Sequence, residues 1–134
     1  MSILIVAATP KEVQPFQEWL QQRGDHADNK QVSILITGVG GVATGYHLTK
    51  EIIRVRPGCV IQAGIAGSFG EKVAPGDVVA VASDAFGDMG AMEASGFADV
   101  FDLNLTAKDE FPFNDGKLPN PHSLLLERAV VPLV

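Results

Sequence analysis

The sequence is poor in the residues that build covalent or metal-held scaffolds: it has one cysteine, Cys59, and three histidines, His26, His47 and His122. A single thiol cannot close an internal disulfide, and histidines this scattered, without partners at metal-ligand spacing, give no reason to expect a metal site. Basic residues are also scarce. Ten Lys and Arg against sixteen Asp and Glu leave a formal charge of −6, which removes the electrostatic drive toward nucleic acid or an anionic membrane surface. Apolar runs are short and interrupted by Gly or Pro, too short to span a bilayer, and no basic segment followed by a long apolar run opens the chain. A cytoplasmic setting and a small-molecule partner are the expectations that remain.

What is present is enough for one ordered domain: 46% of the residues are hydrophobic, among them seven Phe and one Trp. Ile3 to Ala8 is an apolar stretch of strand length, and Thr9 and Pro10 supply an N-cap and a first helical residue. The helix that follows carries Val13, Phe16, Trp19 and Leu20 on one side and stops at Gly24. A polar turn over Asp25 to Lys30 leads to a second strand, Val32 to Thr37. Gly38, Val39, Gly40 and Gly41 then open a helix that runs to about Arg56, where Pro57 and Gly58 end it. Cys59 to Ala63 reads as a third strand, and Val78 to Ala82 as a strand buried on both faces. Strands alternating with helices imply an α/β fold, a mostly parallel central sheet with flanking helices. Ligands bind such sheets at the carboxyl ends of the strands, where Thr9, Gly38 and Gly64 fall. From Asp84 to Phe101 no period is evident, and an extended excursion is expected there. Phe111 to Pro121 is turn-rich, and a last helix is expected to begin near Pro121.

Three segments carry a resemblance. They are Ala8-Thr9-Pro10-Lys11-Glu12-Val13, Thr37-Gly38-Val39-Gly40-Gly41, and Gln62-Ala63-Gly64-Ile65-Ala66-Gly67-Ser68 followed by Pro75-Gly76-Asp77-Val78-Val79. In order and spacing, across nearly the whole chain, they resemble the purine nucleoside phosphorylase and nucleosidase superfamily. Within it, Gly64-Ile65-Ala66-Gly67 and Asp84-Ala85-Phe86-Gly87-Asp88-Met89-Gly90-Ala91 look most similar to futalosine hydrolases; methylthioadenosine nucleosidases usually carry serine where Ile65 stands. The resemblance implies a nucleoside phosphorylase-like domain of which residues 1–134 are the N-terminal portion, truncated on the C-terminal side. It implies hydrolysis of the N-ribosidic bond of futalosine to hypoxanthine and dehypoxanthine futalosine, in menaquinone biosynthesis. Methylthioadenosine or adenosylhomocysteine is the alternative substrate. A homo-oligomer, dimer or higher, is implied as well, and no cofactor is expected. In relatives the Met-Glu pair that holds the ribose hydroxyls and the aspartate that protonates the purine belong to a second half without counterpart in these residues. This chain alone is therefore expected to be inactive, and a non-catalytic nucleoside-binding remnant is the reading from another class.

Breaking an N-ribosidic bond passes through an oxocarbenium-like sugar, so the site needs a protonated leaving group, a positioned water and negative charge near the ribose. The resemblance gives Glu12 the water. The residues alone favour a plainer role, because Thr9 and Glu12 have the spacing of a capping box, in which Glu12 returns to the N-cap amide. Thr9 joins the candidate substrate contacts. Backbone amides at Gly38 and Gly40 suit an anion or a ribose hydroxyl, although a tight strand-to-helix turn accounts for either glycine equally well. That loop has no Arg or Lys, and Pro10-Lys11-Glu12 stands where related phosphorylases carry an arginine, so hydrolysis is expected over phosphorolysis. By resemblance Gly64, Ile65, Ala66 and Gly67 lie beside the ribose and purine, while Phe86, Asp88 and Met89 contact the base or a neighbouring subunit. A sharp crossing at the sheet edge and ordinary packing are the bland alternatives for these two groups. Gly38-Val39-Gly40-Gly41-Val42-Ala43 also fits the dinucleotide pattern G-x-G-x-x-A. The next strand ends on Ala63-Gly64-Ile65 with no acidic residue for an adenosine ribose, which leaves an NAD-binding Rossmann protein a distant alternative. Cys59 is expected to be an inert core residue.

Overall fold

An unbroken run of Ile, Leu and Val favours extended chain, and a strand with no polar position suits a place between two neighbours. In the computed structural model, which describes residues 2–23, 32–70 and 73–122, the chain divides into two compact units, Met1–Phe69 and Gly70–Val134. The first unit contains β1 (Ile3–Ala7), α1 (Pro10–Arg23), β2 (Val32–Ile36), α2 (Gly41–Val55) and β3 (Cys59–Gln62). β1 is the middle strand of a parallel sheet ordered β2-β1-β3. Its Ile5 stands opposite Ile34 on one side and Ile61 on the other. Parallel neighbours need crossover connections, and the helices supply them. This is the expected α/β class.

Both faces of β1 are buried. Leu4 and Val6 are each 1% exposed on one face, while Ile5 and Ala7 are buried on the other. Val13 of α1 is buried with Ile5 and Ala7, and Phe16, Ile34, Ile36, Ile61 and Ala63 pack around them. Placing apolar residues at Val13 and Phe16, three apart, therefore turns one face of α1 onto the sheet. α2 differs from the expected helical cover. None of its residues is fully buried, and Val42, Tyr46 and Ile53 are largely exposed. Its end falls at Arg56, which takes a left-handed conformation (φ 46°) and returns its N–H to the Ile52 carbonyl. Cys59, expected in the core, is only partly buried, because β3 forms one edge of this sheet.

The second unit is built from short antiparallel pairs. β4 (Ser83–Asp84) pairs with β7 (Leu118–Pro119), and β5 (Gly90–Glu93) with β6 (Gly96–Asp99). The β5–β6 hairpin falls inside the segment expected to be an extended excursion; Gly-Ala-Met-Glu has neither β-branched residues nor alternation to announce paired strands. Asp115 and Gly116, both at positive φ, join Asn114 to Lys117 in a turn, as their residue types suggest. Residues 78–82 do not form the expected strand buried on both faces. Val78 and Val81 are exposed, and only Ala80 holds an isolated bridge position. Apolar composition states what a strand would tolerate, whereas burial on both faces needs neighbours that a local run does not encode. The polar turn at Asp25 to Lys30 and the helix expected after Pro121 lie outside the described residues. Among the described residues no helix is long and apolar enough to cross a membrane.

Gly40 caps α2 with φ 96° and ψ 154°, a backbone region open essentially to glycine alone. A Cβ there would meet nothing within 4 Å, so the only penalty of a side chain is conformational. Gly40→Ala is expected to lower stability by about 1–3 kcal/mol, read as a reduced urea midpoint at unchanged slope. An unaltered midpoint would show that the backbone relaxes out of this conformation.

Candidate functional site

Parallel pairing brings the carboxyl ends of the strands together. The Thr37 N–H donates to the Ala7 carbonyl at 3.0 Å, and the Ala63 N–H to the Val6 carbonyl at 2.8 Å. The segments leaving β2 and β3 thus flank the segment leaving β1. Thr9, the Gly38 loop and the Gly64 loop share one edge of the sheet, the edge at which α/β sheets receive ligands.

Pro10 starts α1 and sets Glu12 in its first turn. Glu12 Oε2 accepts the Thr9 N–H at 2.7 Å and the Thr9 hydroxyl at 3.1 Å. The first of these is the return bond of a capping box. The carboxylate does more than serve its own helix. Its Oε1 lies 3.3 Å from where a Cβ on Gly64 would stand. One side chain therefore joins the opening of α1 to the loop after β3, and the missing Cβ at Gly64 permits the approach. The Thr9 N–H is the main influence holding the Glu12 carboxyl below the ordinary glutamate value; burial opposes it, and the Thr9 hydroxyl and the Ile65 and Ala8 N–H groups add to it. Glu12 is accordingly an anion at neutral pH.

A threonine bonded to a glutamate is not a site in itself. In the second unit the Thr106 hydroxyl and the Ala107 N–H donate to Glu110 in the same manner and lower its pKa. What sets Glu12 apart is the second loop that its carboxylate reaches.

The glycine loop after β2 is anchored by Thr37, which is buried. Its hydroxyl lies 3.3 Å from the Ala7 carbonyl, 3.1 Å from the Gly38 carbonyl and 3.2 Å from the Thr44 hydroxyl. Thr37 is missing from the residues expected at the site, although a lone hydroxyl ending an apolar strand just before glycines is a readable signal. Gly40, Gly64, Ile65, Ala66 and Gly67 are all exposed, and Gly38 is partly so. Phe86, Asp88 and Met89 belong to the second unit. There Phe86 packs edge-on against Phe113, which packs edge-on against Phe101, while Asp88 and Met89 are exposed.

A carboxylate and two backbone-rich bends meet at the carboxyl edge of a parallel sheet, the edge at which α/β domains receive ligands. Residues 2–123 match the phosphorylase superfamily, and the chain belongs to it. That superfamily includes both nucleosidases and phosphorylases, which supports nucleoside processing in general. No curated protein matches the chain.

Because the folded state favours ionised Glu12, its contribution to stability is present above the ordinary glutamate value near 4.5 and is lost as pH falls through the lower folded value. Glu12→Gln is expected to make acid destabilisation shallower in that window, measured as urea midpoints from about pH 7 down to about pH 3. Parallel curves for the two proteins would mean that the carboxylate is not held as an anion by its neighbours.

Proposed function

We propose that the protein hydrolyses the N-ribosidic bond of futalosine, releasing hypoxanthine and dehypoxanthine futalosine, a step in menaquinone biosynthesis, with Glu12 accepting a proton from the attacking water. The observation that carries this reading is the Glu12 carboxylate lying against the Gly64–Ile65 bend while bonded to Thr9. Water adds to the anomeric carbon of the sugar and gives a proton to Glu12. The bond to the purine nitrogen breaks, its electron pair leaving with the base, which takes up a proton in turn. The same anion offsets positive charge that builds on the ribose.

The loops favour water over phosphate as the acceptor. Residues 37–41 and 63–69 contain no Lys or Arg, and a phosphate dianion would need such a partner. In this reading the amides at Gly38 and Gly40 receive ribose hydroxyls, and Gly64, Ile65, Ala66 and Gly67 lie beside the nucleoside. The protein works as a homo-oligomer. The two units are parts of one nucleosidase domain, working on a small molecule in the cytoplasm.

The test is to incubate the protein, produced from its complete reading frame, with futalosine, methylthioadenosine and adenosylhomocysteine and to follow the freed base by chromatography. Hypoxanthine from futalosine is expected, and Glu12→Gln should lower kcat by about 10²–10⁴-fold, the usual worth of a positioned general base. Adenine released from methylthioadenosine with futalosine untouched would replace the substrate. Full activity in the Glu12→Gln protein would remove Glu12 from the mechanism.

A further inference from the structure

We propose that Thr9 is a positioning residue for Glu12: its N–H and hydroxyl together hold carboxylate oxygen Oε2, which leaves Oε1, on the Gly64 side, as the oxygen presented to water. This rests on the reading of Glu12 as the base and gives Thr9 a different task from substrate contact.

The hydrogen bonds around Thr9 are not those of a simple helix cap. A capping hydroxyl accepts an N–H from the first turn, but here the Glu12 N–H goes to the Thr9 backbone carbonyl at 3.3 Å. The Thr9 hydroxyl instead points its one proton at Glu12 Oε2, 3.1 Å away. A hydroxyl has a single proton to donate. While it serves the carboxylate it cannot donate to a nucleoside as well. Both ends of the carboxylate are then defined, Oε2 by two donors on Thr9 and Oε1 by its closeness to Gly64.

Among the described residues of the first unit no charged side chain is a cause of the lowered Glu12 value. Ile3–Ala8, residues 37–41 and residues 63–69 contain no ionisable side chain. Cys59 begins β3, at the end away from the Gly64 loop, and Lys11, next to Glu12 on α1, is exposed. The Thr9 N–H, opposed by burial and aided by the Thr9 hydroxyl, holds the Glu12 carboxyl below its ordinary value. Removing the hydroxyl therefore weakens the anion and favours the protonated form.

Thr9→Val and Thr9→Ser, in protein produced from the complete reading frame, test this by futalosine kinetics across pH and by titrating the Glu12 carboxyl carbon by NMR, its resonance assigned from its absence in Glu12→Gln. Thr9→Val should lower kcat roughly tenfold with KM changed less than about twofold, the scale of one hydrogen bond to a charged group. The acid limb of its rate profile and its Glu12 titration should both move to higher pH. Thr9→Ser should restore all three, and Thr9→Ala replaces Thr9→Val if the valine protein does not fold. A raised KM with an unmoved acid limb would make the hydroxyl a substrate contact and overturn the proposal. If the unaltered protein cleaves no nucleoside, the proposed function falls, and the titration still decides the role of Thr9: an unmoved midpoint overturns it, a raised one upholds it.

Discussion

The site rests on the pairing of β1 with parallel neighbours on both sides. That arrangement sets the buried residues Leu4, Ile5, Val6 and Ala7 between two neighbours and aligns three chain reversals at one edge. Parallel register makes the second effect follow from the first, because Ile5 cannot face Ile34 and Ile61 in the same direction without the three strands ending together. The apolar content that stabilises the sheet is thus also what gathers Thr9, the Gly38 loop and the Gly64 loop.

At that edge a single carboxylate has two obligations. It answers the unpaired N–H groups at the start of a helix, where negative charge is favoured by the helix dipole, and its other oxygen lies against Gly64 in the neighbouring strand's loop. These bonds keep it ionised and correspondingly weaken it as a base. For the proposed cleavage through a cationic sugar that exchange is suitable, because fixed negative charge would stabilise the transition state with little reorganisation. Thr37 performs the equivalent anchoring on the other side, tying the glycine loop to the end of β1 and to α2 through one buried hydroxyl.

The contrast between Glu12 and Glu110 shows how little a local pattern specifies. Both accept bonds from a threonine hydroxyl and a backbone N–H a few residues earlier, and both are held ionised. Only Glu12 stands where a loop some fifty residues further along the chain comes within reach. The proposed chemistry at this edge draws on that meeting and on loops without Lys or Arg.

The sequence by itself determined the elements whose signals are local. An apolar run closed by Thr9-Pro10 made β1 and α1, glycines after Val32–Ile36 made the turn into α2, and Asp115-Gly116 made a tight turn. The capping spacing of Thr9 and Glu12 was legible for the same reason, since both ends of the bond lie within one helical turn. Tertiary structure alone decided whether residues 78–82 gained neighbours, that the 90–99 segment folded into a hairpin, that α2 left its apolar side chains exposed, and that Thr37 became an anchor. It also decided that Glu12 reaches Gly64. A side chain's period and type describe what it can pair with nearby, whereas burial and cross-strand contact depend on partners supplied by distant chain, which no local pattern contains.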